Sequence, residues 1–325
     1  MEDRLRFMEL MFYTFPMTRP HYVEITCESA LNRVQGMPFK WSLNPYRGCV
    51  HACHYCYARA SHTYYGMDGD RDFETKILVK TNIVDVLRYE LRRRSWVGEQ
   101  VALGTVTDCY QPAEGRYRLT RGILEALLER QNPVSMVTKS PLVLRDLDLL
   151  TALADVAPVR VFLTITTVDE RLWRHLEPGT APPLQRLRSM RRLADVGISA
   201  GVLLAPILPG ITDSHGAIDA VVAAAAEYHA AFIGSTVLRL APVVKAHYLG
   251  LIEREFPDLL PRYLRAYPGA YAPRAYLDAV EMRVAEARRR HGFSDDTSAW
   301  RQRSSRFVSP PAASLTHPVQ LNLPL

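Results

Sequence analysis

Three of the five cysteines fall within eight residues of one another, and their spacing is typical of ligands to a metal centre. Cys49, Cys53 and Cys56 form a CxxxCxxC pattern inside the run NPYRGCVHACHYCYAR at residues 44–59. Three thiolates on one short loop can ligate three corners of a cubane [4Fe–4S] cluster, and no fourth cysteine lies close in the sequence. The pattern therefore predicts a cluster with one open iron, at which a small molecule can bind.

Two other kinds of metal site use the same residue types. A structural zinc site needs a fourth ligand, for which His51 or His54 is available, but zinc knuckles usually pair a CxxC with a distant second pair that this chain lacks. A ferredoxin-type electron-transfer site needs a fourth cysteine, and Cys27 or Cys109 can serve. The clustered thiols do not resemble the spread, even-numbered cysteines of a disulfide framework, which favours metal ligation in a reducing compartment.

Composition sets broad limits on the class of protein. The 325 residues are 48% hydrophobic and 23% charged, which is typical of a globular protein with a sizeable core. No run of about 18 apolar residues is present, and residues 1–20 lack the features of a signal peptide. We therefore expect a cytoplasmic protein with no membrane partner. The formal net charge of +6 is compatible with a nucleic-acid partner, although arginine-rich helix faces are more often solvated surface.

The elements that must position the cysteines follow an alternating order of strands and helices. Short apolar runs predict strands at residues 41–43, 101–106, 134–138, 159–166, 199–204 and 233–240. Segments of helical period between them predict helices at residues 83–94, 120–129, 144–155, 183–195 and 215–229. The strands are nearly continuous apolar runs, which indicates parallel strands buried on both faces. About six βα units predict an α/β fold, an incomplete (β/α)6-type barrel whose cysteine loop follows the first strand at the C-terminal face.

Segments on either side of this barrel have a different character. We expect an irregular N-terminal arm at residues 1–38, the partial barrel at 39–245, a C-terminal helical extension at 246–303 and an extended tail at 304–325. Helices are predicted in the extension at residues 246–267 and 275–290. Four tyrosines near arginines in this extension can stack on nucleic-acid bases, or can belong to a packed helical cap over the barrel. They are Tyr263, Tyr267, Tyr271 and Tyr276.

With aromatic Tyr55 before its last cysteine, the motif resembles the CxxxCxΦC signature of the radical S-adenosylmethionine (SAM) superfamily, in which Φ is aromatic. The wider run is similar to the branch that contains spore photoproduct lyase and its DNA-repair photolyase-like relatives. Further similar stretches are GTVTDCYQPAE at 104–114, TKSPLVLRDLDL at 138–149, TITT at 164–167, LEP at 176–178 and APILPG at 205–210. The resemblance, over residues 40–245, implies a radical SAM barrel, a [4Fe–4S] cluster, SAM and an external one-electron reductant of the flavodoxin or ferredoxin type.

The resemblance also implies cofactor-binding roles for five residues. Thr107 and Asp108 lie at the end of the second strand, which contacts the SAM amino group in this superfamily. Lys139 and Thr164 match positions that hold the SAM carboxylate, and the backbone of Tyr55 faces the adenine. Each polar side chain has a structural alternative: Lys139 as a surface lysine, Asp108 as a cap of the following turn, and Thr164 as a strand hydroxyl bonded to backbone.

Cys109 lies in the strand-end loop from which, in the lyase, a cysteine donates hydrogen to a substrate radical. The resemblance thus implies a hydrogen donor here, and a buried structural thiol is the alternative. Glu114 can face the active-site cavity or pair with Arg116, and Glu177 can orient substrate or cap a loop.

The substrate stays open between two classes. A nucleic acid or nucleotide follows from the lyase-like resemblance, and a peptide or small molecule is the alternative. A nonenzymatic iron–sulfur or nucleic-acid-binding protein is the third hypothesis, since fold resemblance alone does not fix function.

Overall fold

The computed structural model describes residues 19–294 and contains two sheets. The strands, numbered in chain order, are β1 (His21–Ile25), β2 (Leu31–Arg33), β3 (Trp41–Leu43), β4 (Tyr46–Arg47), β5 (Lys76–Lys80), β6 (Val101–Leu103), β7 (Val134–Thr138), β8 (Val159–Thr164), β9 (Ser199–Ile207) and β10 (Ile233–Val237). The α-helices are Arg71–Thr75, Ile83–Arg92, Ala113–Tyr117, Leu119–Glu129, Leu147–Val156, Glu170–Leu176, Pro183–Asp195, His215–Glu227, Pro242–Glu255, Leu260–Ala266 and Arg274–Arg290. Turns of 3-10 helix lie at Tyr57–Tyr65, Pro141–Asp146 and Pro257–Leu259.

The larger sheet has seven strands in the order β10-β9-β8-β7-β6-β3-β2. Its strands from β3 to β10 pair in parallel, and β2 is antiparallel to β3 at the edge. Within the described residues β10 and β2 pair on one side only, so the sheet does not close on itself. The predicted incomplete barrel is therefore confirmed. Because the parallel strands point the same way, the loops after β3, β6, β7 and β8 meet at one edge of the sheet.

Hydrophobic burial explains why the helices cover this sheet. The helix Leu119–Glu129 buries one stripe of side chains, including Ile123, Leu124 and Leu127, against the sheet and its neighbouring helices. The central strands of the larger sheet bury most residues on both faces, as β6 does with the triplet VAL. The largest hydrophobic cluster joins these strands to the helices, and smaller clusters pack around the cysteine loop.

Three predicted strands end earlier than expected. β6 ends at Leu103 because Gly104 adopts a left-handed φ of 79°, and a side chain there would meet the Val137 carbonyl oxygen at 2.6 Å. β8 and β10 end at Thr164 and Val237, where the chain enters loops at the C-terminal edge of the sheet.

The expectation of an irregular arm up to residue 38 was wrong for two segments. β1 pairs in parallel with β5 in a three-stranded sheet of order β1-β5-β4, and β2 pairs with β3. These pairings satisfy backbone groups that would otherwise be exposed along the strand edges.

The C-terminal extension is helical, but its first helix is interrupted. The predicted helix at 246–267 is divided among Pro242–Glu255, a 3-10 turn and Leu260–Ala266, because Pro257 and Pro261 lack the N–H that a continuous helix needs. The helix Arg274–Arg290 matches the prediction closely. The predicted tail at 304–325 lies outside the described residues. Among the helices of residues 19–294, none is both long and apolar enough to cross a membrane.

Candidate metal centre

The cysteine loop leaves the larger sheet at the C-terminal end of β3. Asn44, the residue after β3, accepts a hydrogen bond from the Val106 N–H at 2.8 Å, which ties this loop to the loop after β6. Gly48 turns the chain with a φ of 79°, and a side chain there would meet the Lys76 carbonyl oxygen at 2.8 Å. Ala52 also has a positive φ, 54°. Two left-handed residues thus fold the loop back on itself and bring its cysteines together.

The three cysteines suit a group larger than a single ion. All three are free, with Cys49 and Cys53 buried and Cys56 partly buried. In residues 19–294, the one set of three or more ligand atoms found within 4.8 Å of each other comprises Asp70, Glu74 and His247. At least two of the three cysteine sulfurs are therefore more than 4.8 Å apart, which exceeds the about 3.8 Å between thiolates on one zinc ion. This spacing and the all-sulfur donor set fit three corners of a cubane cluster.

His51 supplies positive charge beside the first thiol. Its Nδ1 lies 3.3 Å from Asp108 Oδ2, and both side chains are buried. Burial lowers the pKa of His51, but the charges of Cys49 and Asp108 outweigh it and raise the pKa to about 10. Burial raises the pKa of the Cys49 thiol, and His51 more than reverses this effect, so the pKa lies below its ordinary value. Cys49 is thus readily converted to the thiolate that binds iron.

Asp108 has its carboxylate occupied by protein donors. Its Oδ1 accepts from the Thr138 hydroxyl at 2.7 Å, and its Oδ2 accepts from the Lys139 backbone N–H at 2.7 Å. Burial raises its pKa, but His51 and these hydrogen bonds lower it to about 2. The predicted contact of this carboxylate with the SAM amino group gains no support, because both oxygens are engaged. Thr107 is buried, and its hydroxyl donates to the Tyr46 carbonyl at 3.2 Å.

Lys139 lies at the C-terminal end of β7 beside the cysteines. Its Nζ is 5.7 Å from the centre of the Tyr55 ring. Burial lowers the pKa of Lys139, whereas the charges of Cys53 and Glu177 raise it above its ordinary value. Burial raises the pKa of Cys53, and the Lys139 charge lowers it in return. Lys139 is half-buried, and its ammonium lies over the Tyr55 ring of the cysteine loop and does not extend freely into solvent.

Tyr55 connects the cysteine loop to a buried ion pair. Its phenol donates to Glu177 Oε1 and lies 3.1 Å from the Thr166 hydroxyl. Glu177 Oε2 in turn lies 2.5 Å from Arg186 Nη2, and both side chains are buried. Burial raises the pKa of Glu177, but the charges of Arg186 and Lys139 lower it to about 2. Glu177 is therefore an ionised carboxylate beneath the loop.

Three further candidates lie deeper in the protein. The Thr164 side chain is buried at the end of β8, and its carbonyl accepts from Arg186 Nη1 at 2.9 Å. Glu114 is fully buried and pairs with Arg145 at 2.7 Å, so neither alternative, the cavity or Arg116, describes it. Cys109 is fully buried in the hydrophobic core. Its predicted role as hydrogen donor gains no support, since the thiol has no surface exposed to a substrate.

The tyrosines of the C-terminal extension divide into packed and exposed side chains. Tyr263 and Tyr267 are buried, and their hydroxyls donate to the carbonyls of Pro209 and Leu238 at 2.8 and 3.0 Å. These two belong to a packed cap, as the structural alternative predicted. Tyr271 is 62% exposed, and the guanidinium carbon of Arg239 lies 5.3 Å from the centre of its ring.

Sequence reasoning missed two polar side chains beside the loop, Arg59 and His247. Arg59 is fully buried, and its guanidinium donates to the carbonyls of Cys53 and Ala52. His247 lies across from the loop, where its Nε2 is 2.8 Å from His54 Nδ1 and the two rings stack. Arg59 is three residues after Cys56, so its position in the sequence indicates that it lies near the cysteines. His247 is almost two hundred residues away, and no local pattern places it there.

Comparisons with known proteins agree with this geometry. The model of the radical SAM superfamily matches residues 43–220. An uncharacterized protein of Mycobacterium tuberculosis, Rv2578c, is 41% identical over 266 residues, covering 81% of this chain and 78% of its own length. The uncharacterized protein MJ0683 of Methanocaldococcus jannaschii is 29% identical over 191 residues, covering 59% of this chain and 69% of its own.

Solved structures of one enzyme share the fold. A cysteine-to-serine mutant of spore photoproduct lyase aligns with a TM-score of 0.64 and 16% identity, over 83% of this chain and 79% of the lyase. Another lyase mutant, with bound AdoMet and dinucleoside spore photoproduct, aligns with a TM-score of 0.61 and 17% identity over the same shares of both chains.

Proposed function

Since this chain belongs to the radical SAM superfamily, we propose that Cys49, Cys53 and Cys56 hold its [4Fe–4S] cluster and leave one iron open for SAM. A radical SAM enzyme uses this cluster and SAM as its cofactors, and the bound cluster supplies the electron that cleaves SAM reductively. The observation that carries the assignment is the loop of three free cysteines, two buried and one partly buried, with His51 and Lys139 beside it. Positive charge beside the thiolates stabilises them in a site from which water is largely excluded.

The residues around the loop are proposed to bind and orient SAM. Lys139 is the cation available for the SAM carboxylate, because its ammonium faces the cysteines at the end of β7. Thr164, at the end of the neighbouring strand β8, is proposed to assist it. The backbone of Tyr55 is proposed to face the adenine. Thr107 and Asp108 are proposed to support these groups without contacting SAM. Asp108 does so by its contacts with His51 and the Lys139 backbone N–H.

We further propose a nucleic acid or nucleotide as the substrate. An exposed tyrosine lies next to the cysteine loop with an arginine near it, and aromatic rings with arginine are the groups on which bases stack. Tyr57 follows Cys56 directly and is half exposed, and the Arg239 charge is near enough to interact with its phenol. Arg239 also covers the ring of exposed Tyr271. The net charge of +6 favours an anionic partner.

A peptide or small molecule is the second substrate class, and a nonenzymatic role is set aside because the chain is a radical SAM enzyme. Whichever substrate is used, an external one-electron reductant of the flavodoxin or ferredoxin type is proposed to supply the electron.

The substrate proposal is tested by binding and by isotope transfer. Affinity for DNA oligonucleotides should fall as the salt concentration rises. Arg239→Gln should weaken binding and reduce the slope of log affinity against log salt concentration by about one, the value for one lost phosphate contact. The exposed Arg274, paired with Asp278 at 2.8 Å, provides a matched control in Arg274→Gln. Turnover with deuterated nucleic acids should place deuterium in 5′-deoxyadenosine. DNA affinity that does not change with salt concentration, or deuterium transfer from peptides alone, contradicts a nucleic-acid substrate.

A further inference from the structure

One short segment, Leu176–Gly179, lies directly against the cysteine loop and bonds to its backbone. The His54 N–H donates to the Leu176 carbonyl at 3.1 Å, and the Gly179 N–H donates to the His51 carbonyl at 3.1 Å. A side chain at residue 179 would meet the Val50 carbonyl oxygen at 2.2 Å, so only glycine permits this approach. The segment therefore contacts the loop at two points. One is His51, between the first and second cysteines, and the other is His54, between the second and third.

The side chain of Glu177 adds a third connection within the same segment. It accepts from the Tyr55 phenol and from the Thr166 hydroxyl, the latter at 2.9 Å. Arg186 completes the arrangement from the helix Pro183–Asp195, where its Nε also donates to the Ala181 carbonyl at 2.7 Å. Because Tyr55 precedes the third cysteine, this network links the loop to the rigid end of β8.

We propose that Leu176–Gly179 is a template that holds the cysteine loop in its three-ligand geometry, with Glu177 as a positioning residue that acts through Tyr55. The inference rests on the proposed function of the loop as the cluster site. It assigns to Glu177 the task of fixing Cys53 and Cys56 relative to Cys49, in place of substrate contact or simple loop capping.

The physical reason is that the loop has little regular structure of its own. Its turns are closed by local bonds such as the Cys56 N–H to the Cys53 carbonyl at 3.2 Å, and its first cysteine is held from outside by the Cys49 N–H, which donates to the Phe73 carbonyl at 2.9 Å. A cofactor site requires its ligands within a fraction of an ångström of their working positions, and this requires supporting contacts from rigid elements. The backbone bonds to residues 176 and 179 and the Tyr55 bond to Glu177 supply that support around the second and third cysteines, together with the bonds from Arg59 to the Ala52 and Cys53 carbonyls.

The first test removes one oxygen atom from the network. Tyr55→Phe deletes the phenol that donates to Glu177 and keeps the aromatic ring. Tyr276→Phe is the matched control, because its phenol also donates to a carboxylate, Asp213, at 2.6 Å and away from the loop. In the cluster-free full chain, loop cysteines of Tyr55→Phe should react with a thiol reagent roughly tenfold faster, the factor expected for loss of one hydrogen bond to a charged group. Reaction in Tyr276→Phe should match the wild type.

In the reconstituted enzyme, the same variant should show a changed electron paramagnetic resonance spectrum on SAM addition and a raised KM for SAM, while iron content stays near the wild-type value. A merely structural contribution would lower stability in both tyrosine variants and leave the spectrum and KM unchanged.

The second test acts on the backbone approach. Gly179→Ala should displace the loop and lower iron content, whereas Gly216→Ala, where a side chain would meet open space, should not. The template is overturned if the two tyrosine variants have equal thiol reactivity and equal spectra and the two glycine variants have equal iron content. A wild type that cleaves no SAM would instead contradict the proposed function, and the thiol reactivity of the cluster-free variants would still decide the template.

Discussion

The buried pair of Glu177 and Arg186 makes a quantitative prediction about stability. Both side chains are almost completely buried, and Arg186 has no exposed surface. Glu177→Ala leaves the guanidinium without its counter-charge, although the carbonyls of Thr164 and Ala181 still accept hydrogen bonds from it. Breaking a buried ion pair by removing one partner costs about 3–5 kcal/mol. Because two carbonyls remain, we expect a loss near the lower end, about 3 kcal/mol of the free energy of unfolding.

Urea unfolding of the cluster-free protein, followed by circular dichroism, measures this loss. The matched control lies on the same helix, where Arg191 Nε is 2.6 Å from Asp195 Oδ1. These two side chains are 40% and 52% exposed. Asp195→Ala should cost less than about 1 kcal/mol, since exposed ion pairs contribute little. Adding Arg186→Met to Glu177→Ala should cost less than the two single changes summed. If Glu177→Ala costs no more than Asp195→Ala, the pair is not the buried, coupled unit described above.

Three other predictions concern single residues. Iron bound after reconstitution should fall sharply in Cys49→Ala and stay unchanged in Cys27→Ala; equal iron in both would contradict the ligand assignment. Cys109→Ala should cost about 1–3 kcal/mol for the lost core volume and keep SAM cleavage and turnover, whereas a hydrogen donor would change the product. Burial lowers the pKa of Lys80 to about 8, below the 10.5 of an ordinary lysine, so the unfolded chain binds this proton more tightly. Stability relative to Lys80→Met should therefore rise by about 3 kcal/mol as the pH increases from 8 to 10.5, and a flat difference would contradict the burial of this ammonium.

The cysteine motif and the parallel strands were predictable from the sequence because both depend on local information. Ligand spacing within one loop is a property of neighbouring residues, and buried parallel strands such as β7 are continuous apolar runs. β1 and β2 were missed because each is short and places polar residues at the edge of a sheet, so neither forms a continuous apolar run. Their strand form depends on pairing with distant residues, which no local pattern reports.

Side-chain roles around the site were harder to predict. Arg186 belongs to an arginine-rich helix, and sequence alone cannot separate it from Arg188 and Arg192, which are exposed. The helix face that carries Arg186 is set by packing against β8 and the loop after it. Asp108 was expected to contact SAM, but the neighbouring strand supplies donors that occupy both carboxylate oxygens. Such competition between cofactor and protein partners appears only when strands from different parts of the chain are brought together.

The central claim is that the cysteine loop supports reductive cleavage of SAM, and one measurement tests it most directly. The anaerobically reconstituted protein is incubated with SAM and a strong one-electron reductant, and 5′-deoxyadenosine is quantified. We expect 5′-deoxyadenosine from the wild type and from Cys27→Ala, and none above background from Cys53→Ala. A wild type with a well-formed cluster that releases no 5′-deoxyadenosine, or a Cys53→Ala variant that releases as much as the wild type, would contradict the account.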